Sequence, residues 1–223
     1  MKVDIIIPEN INEITVEQFQ KYNKLISTNE PSEFVNQKTI EIFCNLDLKD
    51  VVKISYNSSR EILNHLNEIF KQAPKFQNKF KANGITFGFE PNLEEITTGA
   101  YIDAETYLGD IDTLHKAMAV LYRPIKTELK DLYTIEDYNS SKDFEHIMKQ
   151  APLNVALGMQ VFFCNLGSEL LNAMSLYTHQ MELSEAEKLH LEKSGVGINQ
   201  FTEHLKEMYS DFSKLLSYQY TNS

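Results

Sequence analysis

The chain has 223 residues and a mass of 25.8 kDa, enough for one sizeable domain or for one domain with an appendage. Hydrophobic residues make up 42% of it, which is enough for a hydrophobic core and argues against a disordered chain. The formal net charge of −11 argues against nucleic-acid binders, which need a surplus of Lys and Arg, and against proteins that dock on anionic membranes.

The two cysteines and the start of the chain indicate the compartment. Cys44 and Cys164 lie far apart inside apolar runs, which predicts buried thiols in a reducing compartment and not a disulfide framework. The first eight residues carry one lysine and a short apolar run, a pattern unlike a secretory signal peptide. We therefore expect a soluble intracellular protein.

The N-terminal third predicts one strand followed by helices. β-branched residues at 3–7 favour a strand that ends at Pro8. Thr15 and Gln18 have capping-box spacing, and Ile14 and Phe19 are placed to form a hydrophobic staple at the start of the first helix. Apolar periodicity and caps predict helices at about 15–27, 34–44, 47–54 and 58–72, the last opened by Ser58 and Glu61. In the second helix, the side chains expected to point inward are Phe34, Ile40 and Phe43.

The apolar period then changes from 3.6 to 2 around the only Asn-Gly in the chain. Asn83-Gly84 is the preferred two-residue hairpin turn, and alternating apolar residues flank it on both sides. We expect a hairpin over 79–89 that forms one small antiparallel sheet with the strand at 3–7. An isolated hairpin is marginal in water, so this sheet should pack on helices.

The second half is predicted to be helical around one long apolar segment. Asp103 caps a short helix to 108, a longer helix ends near Arg123 before Pro124, and 126–142 is polar and turn-like. Polar residues interrupt the apolar segment 153–180, so it predicts a central buried helix and not a membrane span. The residues of this helix expected in the core are Leu157, Phe162, Leu166 and Leu170. The fold class is α+β and mainly α-helical.

The last forty residues differ from the rest and predict a helical arm. Residues 194–197 contain Gly195 and Gly197 and indicate a hinge, so we divide the chain into a globular domain at 1–180 and an arm at 181–223. After the hinge, apolar residues recur at spacings that alternate strictly between three and four positions. The residues of this stripe, our candidate partner-binding site, are Ile198, Phe201, Leu205, Met208, Phe212 and Leu215. The stripe packs either on the same chain or on a partner.

The sequence contains no motif for catalysis, metal binding or cofactor binding. His115 lies near Glu105, Asp110 and Asp112, which is compatible with an acid–base pair or metal ligands, but acids at a helix start are common without function. The six histidines are dispersed and neither cysteine has a neighbour at zinc-site spacing. Arg123 at a predicted helix end favours a structural ion pair over a binding site. We predict no catalytic residue, no metal and no cofactor.

Two groups of short motifs carry a resemblance to a known family. The first comprises residues 99–103, Tyr107 and 114–125, and the second runs from Tyr133, Ile135 and Tyr138 to the apolar segment after Pro152. The motifs of that second group are Pro152-Leu153, Ala156-Leu157-Gly158, Phe162-Phe163, Leu166-Gly167 and Leu170-Leu171. Over about residues 3–178 the chain resembles a group of tailed-bacteriophage proteins associated with tail assembly, of the tail-assembly-chaperone type.

The resemblance implies a non-catalytic role. It implies a protein made in the cytoplasm of the infected bacterium that binds a phage structural protein, such as the tape measure. The apolar stripe of the arm also allows a second copy of the chain as the partner. No nucleic acid or membrane partner is expected. Two alternatives stay open: a permanent virion component such as a connector, ring or baseplate subunit, and an enzyme that uses His115 and the nearby carboxylates.

Overall fold

The computed structural model describes residues 5–130, 132–180, 189–190, 193–200, 202–204 and 206. The N-terminal helices are α1 (Val16–Thr28), α2 (Glu33–Cys44), α3 (Leu48–Val51) and α4 (Tyr56–Phe70). The elements that follow are β1 (Lys79–Ala82), β2 (Ile85–Phe89), α5 (Thr98–Leu108), α6 (Leu114–Leu121), β3 (Tyr122–Leu129), β4 (Leu132–Ile135), α7 (Glu145–Met148) and α8 (Leu153–Gln180). Residues 193–200, 202–204 and 206 are helical and are called the C-terminal helical segment below. The predicted class, mainly helical α+β, is confirmed.

Local capping explains where the first helices begin. The Thr15 hydroxyl accepts a hydrogen bond from the Gln18 amide at 3.2 Å, and the Gln18 side chain accepts one from the Thr15 amide at 2.9 Å, so the predicted capping box is confirmed. Helix α4 begins earlier than predicted, because the Ser55 hydroxyl and not that of Ser58 caps it. Phe34 is 49% exposed, so its predicted inward orientation is wrong.

The predicted hairpin is confirmed, but its sheet has a different composition. Asn83 and Gly84 have φ angles of 48° and 78°, as the turn between β1 and β2 requires. The sheet is antiparallel with the strand order β1-β2-β3-β4. The predicted N-terminal strand is not part of it: residues 5–7 form no strand, and residues 3 and 4 lie outside the described residues.

The outer half of β3 and all of β4 lie in the region 126–142, which the sequence predicts to be polar and turn-like. Residues 126–129 of β3 are all exposed, whereas exposed and half-buried residues alternate along β4, so β3 lacks the apolar alternation that marks a half-buried strand. Lys130 occupies the turn of this hairpin with a φ of 57°, and the hydroxyls of Thr127 and Thr134 lie 2.6 Å apart across the strands. Cross-strand contacts hold this hairpin together without an apolar face of its own.

Two hydrophobic clusters form the core, and α8 lies between them. The first cluster contains residues of the four helices α1, α2, α3 and α4, and the second contains residues of the sheet and of α5, α6 and α7. Leu153 and Leu157 of α8 belong to the first cluster, whereas Val155, Ala156 and Met159 belong to the second. The start of α8 is thereby buried on both sides.

Burial decreases along α8. Leu157 is buried, Phe162 and Leu166 are half-buried, and Leu170 is 45% exposed, so the prediction of Leu170 as a core residue is wrong. The reason is that the second half of α8 extends beyond the first cluster. None of the helices in the part of the chain described by the structure is long and apolar enough to cross a membrane.

Candidate functional site

An apolar cleft of about 460 Å³ opens between α5, α8 and the C-terminal helical segment. Leu121 of α6, together with Leu93 and Ile96 from the chain before α5, completes it. The helical residues that line it are Tyr101, Ala104, Glu105 and Leu108 of α5, Phe163, Leu166, Gly167 and Leu170 of α8, and Ser194, Gly197 and Ile198 of the C-terminal helical segment. Each helix contributes residues three and four positions apart, so each presents one face to the cleft.

The cleft wall formed by α5 begins earlier than predicted. Thr97 caps α5 by accepting a hydrogen bond from the Ala100 amide at 3.3 Å, and Asp103 therefore lies inside the helix and does not start it. This extra turn places Tyr101 on the same face as Ala104 and Leu108. The spacing of these three residues indicates a shared helical face, but the helix predicted from Asp103 begins too late to include Tyr101.

The C-terminal helical segment packs back on the same chain. Thr202 is fully buried against Gly167, where a larger residue in α8 would overlap its side chain. The ring of His204 lies against Gly109, and its Nε2 is 2.8 Å from the Gly109 carbonyl oxygen. Small residues at both contacts permit this close approach. The predicted hinge at 194–197 is wrong, because these residues are helical.

One residue of the predicted partner-binding stripe can be placed. Ile198 is half-buried and lines the cleft. The other predicted stripe residues, Phe201, Leu205, Met208, Phe212 and Leu215, lie outside the described residues. The proposed division into 1–180 and 181–223 stays a prediction.

His115 lies away from the cleft, inside the protein. It is 6% exposed, and the Gln20 side-chain amide nitrogen lies 3.0 Å from its Nδ1 and also donates to the Ile111 carbonyl at 2.7 Å. Burial lowers the pKa of His115, and the positive charge of Lys149 lowers it further. This arrangement ties α1 to α6 through a neutral imidazole.

Arg123 forms the ion pair that its chemistry predicted. Its guanidinium contacts the Glu90 carboxylate, and the two side chains are 8% and 12% exposed. The pair joins β3 to the residue that follows β2, so it fastens the middle of the sheet. Its Nε has no hydrogen-bond partner in the described part of the chain.

The remaining polar and thiol groups do not assemble into a reactive centre among the described residues. No group of three or more His, Cys, Asp or Glu side chains there could hold a metal ion. Burial raises the pKa of the Cys44 thiol to about 11, which suppresses the reactive thiolate. A second depression of about 620 Å³ lies between α1 and α2, and two of the lysines that line it pair with acids: Lys21 with Glu17 at 3.4 Å and Lys38 with Glu41 at 2.5 Å.

Comparison with known proteins identifies no relative of this chain. No known protein family, curated protein or solved structure matches the chain. The interpretation of function therefore depends on the residues of the cleft and on the resemblance described above.

Proposed function

We propose that this protein is a non-enzymatic bacteriophage assembly protein of the tail-assembly-chaperone type. It binds a segment of a phage structural protein, such as the tape measure, in the apolar cleft between α5, α8 and the C-terminal helical segment. The observation that carries the proposal is the cleft itself, because three helical faces meet there and leave an apolar opening of about 460 Å³.

The exposure of the cleft walls supports binding of an apolar segment. Tyr101 is 55% exposed and Leu170 is 45% exposed, although both line the same opening. Contiguous exposed apolar surface is a feature of interaction sites in proteins that do not aggregate. A groove between helices is also a common receptor for the apolar face of a partner helix.

The family resemblance supplies the biological class of the partner. It covers α5, α6 and most of α8, and thus two of the three walls of the cleft. The proposed setting is the cytoplasm of the infected bacterium, before or during tail building. The net charge of −11 keeps the protein away from DNA, which agrees with a protein partner.

Exposed apolar residues inside and outside the cleft allow a matched test of the cleft. Tyr101→Asp and Leu170→Asp place a charge in the cleft, whereas Ile102→Asp and Leu176→Asp place one on residues that are 54% and 60% exposed and do not line it. Each variant is co-expressed with the tape-measure protein of the same genome, and the complex is quantified by size-exclusion chromatography. We expect the cleft variants to weaken the complex by about tenfold or more and the matched variants to weaken it less than about twofold.

Two results would contradict the proposal. In the first, all four variants form the complex equally while keeping the wild-type melting temperature, which would place the binding site elsewhere. In the second, mass spectrometry of purified phage particles finds this chain at stoichiometric amounts, which would identify a permanent virion component. No observation on His115 favours the enzymatic alternative, because its buried ring lies outside the cleft.

A further inference from the structure

One wall of the cleft comes from a stretch of sequence without any positive charge. Between Lys81 and Lys116 the chain has no Lys or Arg. The carboxylates in this stretch are Glu90, Glu94, Glu95, Asp103, Glu105, Asp110 and Asp112. The excess of negative charge is therefore concentrated in the part of the chain that contains Leu93, Ile96 and α5.

Most of these carboxylates are exposed, and three of them form no ion pair with any residue that the structure describes. Glu90 contacts Arg123, and Asp103 accepts a hydrogen bond from the Tyr138 hydroxyl, so these two are occupied within the fold. Glu94, Glu95 and Glu105 are exposed, and none of them forms an ion pair within the part of the chain that the structure describes. Glu105 lines the cleft, and Glu94 and Glu95 stand between the lining residues Leu93 and Ile96.

The opposite wall does not compensate this charge. Helix α8 contains Glu169 and no Lys or Arg along its whole length. In the C-terminal helical segment, Lys193 is exposed beside the lining residue Ser194, and Lys206 pairs with Glu203 at 3.0 Å. Among the residues that the structure describes, those around the apolar opening thus carry mainly negative charge.

We infer that the segment bound in the cleft is an amphipathic helix whose apolar face enters the cleft and whose flanks carry Lys or Arg. This inference rests on the proposed function and specifies the chemistry of the partner. The apolar residues provide the contact area, and the carboxylates select the partner, because a segment with acidic flanks is repelled. Since the carboxylates are exposed, salt should weaken the selection.

Synthetic peptides test the charge of the partner directly. We use three helical peptides of about 18 residues, roughly five turns, with the same leucine face and with Lys, Gln or Glu on the polar face. Binding to the full chain is measured by fluorescence anisotropy at low and high salt. We expect the Lys peptide to bind about tenfold more tightly than the Gln peptide at low salt, the difference to shrink at high salt, and the Glu peptide to bind most weakly.

A matched pair of triple variants separates the cleft from the overall charge. Glu94→Gln with Glu95→Gln and Glu105→Gln removes three charges at the cleft. Glu9→Gln with Glu30→Gln and Glu61→Gln removes three exposed charges from the N-terminal part of the chain. We expect the first triple variant to bind the Lys peptide about tenfold more weakly than the unmodified protein does, and the second less than about twofold more weakly.

The outcomes distinguish this inference from the proposed function. If the Gln and Lys peptides bind equally tightly and Tyr101→Asp abolishes both, the charge inference is wrong and the apolar cleft remains the binding site. If both triple variants reduce the affinity for the Lys peptide equally, the attraction comes from the net charge of the protein and the inference is also wrong. If none of the peptides binds and the tape-measure complex is unaffected by Tyr101→Asp, the proposed use of the cleft itself fails.

Discussion

Both halves of α8 contain leucines, but these leucines have different environments in the fold. From Leu153 to Gln160 every residue is buried, whereas Leu170 and Leu176 in the second half are 45% and 60% exposed. The first half lies between the two hydrophobic clusters, and the second half extends past the first cluster. The comparison shows that an apolar face becomes core or exposed surface according to the elements that pack on it.

The difference has a functional consequence. The buried half contributes to stability, because each of its apolar side chains is removed from water on two sides. The exposed half leaves Leu166, Gly167 and Leu170 along the cleft, where the C-terminal helical segment covers them incompletely. Substitutions in the first half should therefore change stability, and substitutions in the second should change binding.

The largest expected effect is the loss of a buried side chain in the first half. Leu157→Ala should lower the free energy of unfolding by about 2–5 kcal/mol, because Leu157 is 2% exposed and its removal leaves a cavity. The control Leu176→Ala should change it by less than about 0.5 kcal/mol. Chemical denaturation measures both, and equal values for the two variants would contradict the comparison.

A smaller effect is expected from added volume in the same half. A Cβ on Gly158 would overlap the Lys75 carbonyl group and lie 2.9 Å from the Phe76 amide nitrogen. This backbone, between α4 and β1, is fixed to α8 because the Lys75 amide donates a hydrogen bond to the Asn154 side chain at 3.1 Å. Gly158→Ala should therefore destabilise the protein by roughly 3 kcal/mol, although alanine is the better helix former. Gly99→Ala, also in a helix but with open space around it, is the control and should be neutral or stabilising.

Phe162 lies at the transition between the halves and should show an intermediate effect. Its ring stacks on Phe76 with a centroid separation of 4.6 Å and packs edge-on against Phe89, but the side chain is half-buried. Phe162→Ala should cost about 2 kcal/mol, below the 3–5 kcal/mol of a fully buried ring. A loss at the upper end of that range would place the transition later in α8.

The smallest effect concerns the segment that packs beside the second half. Gly197 has open space around it and lies in a helical stretch. Gly197→Ala should raise the free energy of unfolding by up to about 1 kcal/mol, because alanine is the better helix former. A decrease in stability would contradict this expectation.

Several elements were predictable because short-range chemistry specifies them. Thr15 and Gln18 form their capping box within one helical turn, and Asn83-Gly84 closes its hairpin within two residues. The start of α8 follows from Pro152, and the long apolar segment after it predicted the helix. Arg123 was also predictable as a structural ion pair, because its side chain favours fixed carboxylate partners.

Other elements depend on distant neighbours and were missed for that reason. Strand β3 pairs with β2 through contacts such as Phe87 with Pro124, far apart in sequence, and the exposed part of its hairpin carries no apolar alternation. The glycines at 194–197 indicated a hinge, yet the segment is helical. The helical segment packs on α8 and contacts Gly109 through His204, and both neighbours are distant in sequence.

By itself the sequence determined the mainly helical α+β class, the first helix cap, the first hairpin and the apolar character of α8, because turns, caps and periodicity act over a few residues. Tertiary structure alone decided which half of α8 is buried and which residues form the cleft. These outcomes depend on where separate helices meet. A leucine of α8 is core where two clusters enclose the helix, and it is exposed where the packing around the helix is incomplete.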